Sequence, residues 1–197
     1  MPFPPAAFVP LAMAVGLAAL PPAAAAQDAP LLVEGTGGYA VALGSFADGT
    51  RPGEGVAGGA SFGVRFVVPA VRWSLYAGFS QHRFGCEDAG CASGGRYVAT
   101  GFDVGYRVGL RAGPAIPWLS VGGLTTRVET GALAGPNAGV SEHAFGVELG
   151  AGVFLGGRSP IAVNPGVRMA AVNTRLPGGP LLRMRYLVAE LAVALAF

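Results

Sequence analysis

The closing stretch LRMRYLVAELAVALAF, residues 182–197, decides how the chain folds. Leu187, Ala189, Leu191, Val193, Leu195 and Phe197 share one parity; Tyr186, Val188, Glu190, Ala192, Ala194 and Ala196 share the other. A period of two belongs to a strand, because successive side chains point to opposite faces. The large apolar residues collect on one face, while the other is mostly small and carries a lone glutamate. A water-facing surface would be rich in Lys, Glu and Gln at those positions. Small residues suit the cramped interior of a narrow barrel whose greasy face looks outward.

Working back from that stretch, the same alternation recurs at 38–46, 56–67, 71–84, 96–110, 118–128, 143–155 and 161–174. In the third segment Val71, Trp73, Leu75, Ala77 and Phe79 alternate with Arg72, Ser74, Tyr76, Gly78 and Ser80. The fifth alternates weakly, with Leu119 and Val121 on its apolar face, and Pro165 in the seventh predicts a bulge or a local break in pairing. The joins at 68–70, 111–117 and 156–160 are short and carry prolines. Those at 47–55, 85–95 and 129–142 are longer and hold many charges and glycines, although 175–181 is short too. Up-and-down strands with the N-terminus in the periplasm put the short joins inside and the long ones outside the cell. Segments of this length cross the hydrocarbon layer when tilted, and closure removes the unpaired edges that lipid forbids. The expected fold is all-β: an eight-stranded antiparallel up-and-down transmembrane β-barrel over residues 27–197. Phe66, Trp73, Tyr106, Trp118 and Phe197, near the periplasmic ends of their segments, read as an interfacial aromatic belt.

Composition fits this reading. Of 197 residues 52% are apolar and 12% charged, and 33 glycines and 16 prolines are spread throughout, which punctuates every element and disfavours long helices. The apolar run from Ala6 to Leu20, followed by Ala23–Ala26, reads as a signal peptide over 1–26 that is cleaved after Ala26, although its n-region has no Lys or Arg. A membrane anchor is the competing reading, against which the short run and Pro10 count. Downstream no uninterrupted apolar stretch is long enough for a membrane helix. A net charge of +2, with no basic stripe, argues against a nucleic-acid partner. Cys86 and Cys91 flank a polar loop and in an exported protein suggest a loop-closing disulfide; two thiols without further ligands are too few for structural zinc, so no metal or cofactor is expected.

Parity also sorts the charges. Arg65, Arg72, Asp103, Arg107, Glu148, Arg168 and Glu190 project inward with Tyr76 and His82, and should form a compensating network that fills the lumen; a selective ion path lined by them is the functional alternative. Arg83, Arg127, Arg175, Arg183 and Arg185 share outward parity at the extracellular ends and are expected to grip lipopolysaccharide phosphates, or simply to snorkel into the polar layer. Ser141-Glu142-His143 is not a triad, because neighbours on a strand point apart, and no catalytic residue is assigned.

The leader, the eight segments and the run Leu191-Ala192-Val193-Ala194-Leu195-Ala196-Phe197 resemble the small outer-membrane β-barrel family, similar to the OmpA transmembrane domain, OmpX and the opacity proteins. That resemblance implies residence in the bacterial outer membrane, and a role for Phe197 as the terminal signal read by the barrel-assembly machinery. The function expected is a structural, surface-interaction or membrane-integrity role without enzymatic activity. The alternatives are a narrow porin-like channel and, after it, a lipid A-modifying barrel, although the His-x-Ser-Asn run of the deacylases is missing. What the loops bind is not encoded in any motif.

Overall fold

The computed structural model describes residues 31–46, 56–69, 73–85, 95–109, 115–131, 139–156, 160–177 and 181–197. The leader at 1–26, Arg72, and Cys86 with Cys91 lie outside the described residues. The strands are β1 (Leu32–Ala42), β2 (Gly59–Pro69), β3 (Trp73–Gly85), β4 (Arg96–Gly109), β5 (Ala115–Gly131), β6 (Gly139–Val140), β7 (Ala144–Leu155), β8 (Ile161–Arg175) and β9 (Leu181–Ala196). The two-residue β6 pairs only with Glu129 and Thr130 of β5. The other eight form one antiparallel barrel, in which each strand pairs with the next along the chain and β9 returns to β1. Both termini of the barrel lie at one end with three short joins, and the longer connections, with the short β8–β9 join, lie at the other; we call these the terminal end and the loop end.

Two elements depart most from the sequence expectation. β1 begins at Leu32, not at 38, because its glycine-rich first half is held on both sides: Glu34 lies opposite Arg65 of β2 and Ala194 of β9. Pairing with neighbours overrides weak local propensity in a sheet. β5 runs 17 residues and takes in Pro117, which the sequence placed in a join. Its alternation is faint because its outward positions pass through Gly123, Thr125 and Arg127. At Pro165 the expected interruption takes the form of a break, not a bulge: pairing of β7 with β8 stops between Gly152–Gly166 and Leu155–Val163, then resumes in the same register. A residue without an N–H interrupts the ladder without adding a residue to it.

The large apolar side chains face out, as parity requires. Phe102, Val104, Leu119, Phe145, Val147 and Leu191 all stand exposed on the outer surface, with Phe145 at 85%. On a soluble protein a continuous girdle of this kind would exceed any tolerated patch. Around a membrane barrel it is the lipid contact.

At the loop end the pattern inverts. On β9, Arg183 and Arg185 point out while Leu182, Met184 and Tyr186 are fully buried. β3 repeats this with Gln81 and Arg83 outside and His82 and Phe84 inside, and β5 with Arg127 outside and Val128 inside. The barrel thus continues past the greasy girdle as a polar-surfaced collar with an apolar interior, the arrangement that water selects.

Candidate functional site

The lumen is filled in three layers. At the loop end Phe46, Phe84, Tyr97, Leu176, Leu182 and Met184 form an apolar cap. Phe46 reaches it from beyond β1, where its carbonyl accepts the Arg183 N–H at 2.7 Å, and its ring meets Phe84 edge-on at 5.0 Å. At the terminal end Leu32, Val67, Trp118, Phe154 and Ala196 close the barrel. Between the two lies the charge network.

Arg65 on β2 donates from Nε to Asp103 on β4 at 2.9 Å, and from Nη1 to Glu190 on β9 at 3.1 Å. Arg168 on β8 donates from Nε to the other oxygen of Glu190 at 3.0 Å, and from Nη1 to Glu148 on β7 at 2.9 Å. The Tyr76 hydroxyl donates to Glu148 at 2.7 Å across the lumen. It can lie there because β4 and β5 present Gly105 and Gly122 beneath it, where a Cβ would collide with the phenol.

Nearer the terminal end Arg107 holds Glu34 with both arms, at 2.8 and 3.1 Å. Asn164 donates to Glu34 at 3.1 Å and accepts the Trp118 indole N–H at 2.7 Å. The Arg107 guanidinium stacks 4.5 Å from the Trp118 ring. All of these charges are buried. The bidentate Arg107–Glu34 pair, and the bridging of Glu190 between Arg65 and Arg168, supply the geometry that desolvated ion pairs require. Asp103 Oδ1 and Arg107 Nε have no hydrogen-bond partner among the described residues.

Six of the seven inward charges singled out by parity, all except Arg72, are therefore brought into one sealed interior. Parity missed Glu34, which lies in the part of β1 that its glycines disguised. A signal existed: Glu34 shares the even parity of Gly38, Ala40 and Ala42, the small-residue face of the same segment. Among the described residues the network then holds three guanidiniums against four carboxylates. Trp118 corrects a second expectation. It is not an interfacial aromatic but a 5% exposed lumen side chain, of opposite parity to Leu119. Trp73 and Tyr106 do stack on the outer face, with centroids 5.7 Å apart.

His82 is buried beneath the cap with Nδ1 2.8 Å from the Ser61 hydroxyl, and its ring lies 5.0 Å from that of Tyr186. Both side chains lie in the barrel interior. Outside, Arg127 pairs with Glu129 at 2.8 Å and Arg83 bonds Gln81 at 3.1 Å, both on the collar. Arg175, Arg183 and Arg185 are exposed at the loop end of β8 and β9. Phe197 is exposed at the terminal end, where its N–H donates to the Leu31 carbonyl at 3.0 Å.

A closed barrel with a greasy outside and a plugged, charged inside defines a small eight-stranded transmembrane β-barrel. The same fold is found in Neisserial surface protein A, with a TM-score of 0.66 at 13% identity over 85% of this chain and 97% of that one. The N-terminal β-barrel domain of Pseudomonas aeruginosa OprF matches with a TM-score of 0.51 at 11% identity, over 86% and 98% of the two chains. No family model and no curated protein sequence matches the chain.

Proposed function

We propose that the chain is an integral protein of the bacterial outer membrane with a structural or surface-interaction role, exported by a leader ending at Ala26 and neither conducting nor catalytic. One observation carries this reading: the lumen is blocked by two apolar layers around an ion-paired middle. An ion path needs water or coordinating groups along its whole length, and Phe46, Met184 and Tyr186 supply neither. With the terminal end in the periplasm, the collar and the longer connections face outward, where loops carry function on a rigid frame. Phe197 then stands where the assembly machinery would meet the last strand. The collar arginines meet lipopolysaccharide head groups, and oxidation of Cys86 with Cys91 would close the connection between β3 and β4.

The test is conductance of the refolded protein in a planar bilayer, run beside a lipid A hydrolysis assay. A flat trace and intact lipid are expected. Unitary current steps would favour the channel, and released acyl chains the enzyme.

A further inference from the structure

Among the described residues the charges of the lumen do not cancel. Arg107 and Glu34 form a matched pair toward the terminal end. The cluster above them sets two guanidiniums, Arg65 and Arg168, against three carboxylates, Asp103, Glu148 and Glu190. All five side chains are buried between the two apolar layers. A net negative charge in so desolvated a space is costly, and it is relieved by a counter-charge or by a proton.

The carboxylate oxygens locate the surplus. Both oxygens of Glu190 accept from guanidiniums, and those of Glu148 accept from Arg168 and from the Tyr76 hydroxyl. Asp103 accepts from Arg65 through Oδ2, with Arg168 3.6 Å from the same atom. Its Oδ1 is the oxygen of the cluster left without a partner among the described residues. The strand register puts it there: Gly78 lies between Arg65 and Asp103, and its missing side chain lets the two meet across β3. A Cβ on Gly78 would come within 3.0 Å of Oδ1 and 2.7 Å of the Val64 carbonyl, so two acceptors border one narrow space. A metal ion would need several oxygens, and no group of three or more ligating side chains is found among the described residues. A proton needs one oxygen, and the carbonyl beside it can accept.

We propose that this cluster is a buried proton-binding site: Asp103 Oδ1 carries one proton at neutral pH, and the cluster is thereby electrically neutral. Glu148 and Glu190 then balance Arg168 and Arg65, while Asp103 accepts from Arg65 as an uncharged carboxyl. In the unfolded chain an aspartate in water is ionised above about pH 5, so the barrel takes up the proton as it closes. A folded state that binds more protons than the unfolded one loses stability as pH rises. The other titratable groups facing the cluster are Tyr76 and His82 of β3, Tyr186 of β9, and the pair formed by Glu34 of β1 and Arg107 of β4. β5 turns only Gly122, Leu124 and Thr126 toward it, and none of these titrates.

The experiment compares the refolded wild type with Asp103→Asn, which keeps the shape of a protonated carboxyl, by urea titration in lipid vesicles at pH 7 and pH 8. The unfolding equilibrium constant of wild type, taken relative to that of the variant, is expected to rise about tenfold over this interval. Titration of Tyr76, His82 and Tyr186 is common to both proteins and drops out of the ratio. At pH 7 Asp103→Asn should be about as stable as wild type, whereas Glu190→Gln, which removes the carboxylate that both guanidiniums share, should be destabilised at either pH. Infrared spectroscopy of folded wild type at pH 7 gives a reading that needs no variant to fold: a protonated-carboxyl stretch, shifted in heavy water, is expected. A ratio that does not change with pH, or the absence of that band, would overturn the proposal. So would a loss of stability in Asp103→Asn as large as that in Glu190→Gln, which would make Asp103 an ionised partner of Arg65. Stability that follows sodium or potassium concentration in place of pH would assign the surplus charge to a bound cation and overturn it too.

Discussion

Glu34 shows how much a single side chain holds in this interior. It is completely buried, and it is matched by Arg107 through two hydrogen bonds and by Asn164 through a third. Removing its charge strands the Arg107 guanidinium in the lumen. Glu34→Gln is expected to destabilise the barrel by about 3–5 kcal/mol, read as a lower urea midpoint in lipid vesicles. Glu34→Gln combined with Arg107→Met should recover part of that loss, since the combination leaves no orphaned charge. An unchanged midpoint in the single variant would mean that the pair is hydrated. Trp118 teaches a related lesson. Its parity, opposite to that of outward Leu119, points inward, whereas its residue type suggests an interface. In a narrow barrel, position outranks type, and the indole is accommodated because Gly150, Gly152 and Gly166 clear its path.

At the scale of the element, alternation was readable wherever outward residues were large, and faint where they were not. β9, with leucines and valines outside, was legible to within a residue. β1 and β5 were blurred by Gly35, Gly37 and Gly123, whose outward positions add no hydrophobic signal. The apolar cap stayed hidden for another reason. At the loop end the solvent changes from lipid to water, so the meaning of each face reverses within one strand, and no local pattern announces that crossing. β9 offers a direct check. Met184→Ala, inside the collar, is expected to cost about 2–5 kcal/mol as a cavity in a packed core. Leu187→Ala, three residues on and facing lipid, should cost much less, because acyl chains fill the gap. On β4, Val104→Arg places a charge on the girdle and is expected to cost about 2–4 kcal/mol in a bilayer. On a water-soluble barrel the same exposed substitution would lie within about 0.5 kcal/mol of neutral. Urea titration in vesicles separates these outcomes.

The whole molecule is an inside-out barrel with a conventional collar: a lipid-facing girdle, an ionic core between two apolar layers, and a water-adapted rim. Everything else depends on which face meets lipid, and the two tryptophans report on it from opposite sides of the wall. Trp73 is exposed on the outer girdle, and Trp118 is enclosed in the lumen. The decisive measurement is fluorescence quenching in vesicles of brominated lipid, using Trp118→Phe to isolate Trp73 and Trp73→Phe to isolate Trp118. Brominated chains are expected to quench Trp73 strongly and Trp118 weakly, with aqueous iodide reaching neither well. Strong iodide quenching of Trp73, with no effect of brominated lipid on it, would contradict the account and make the girdle a water-exposed surface.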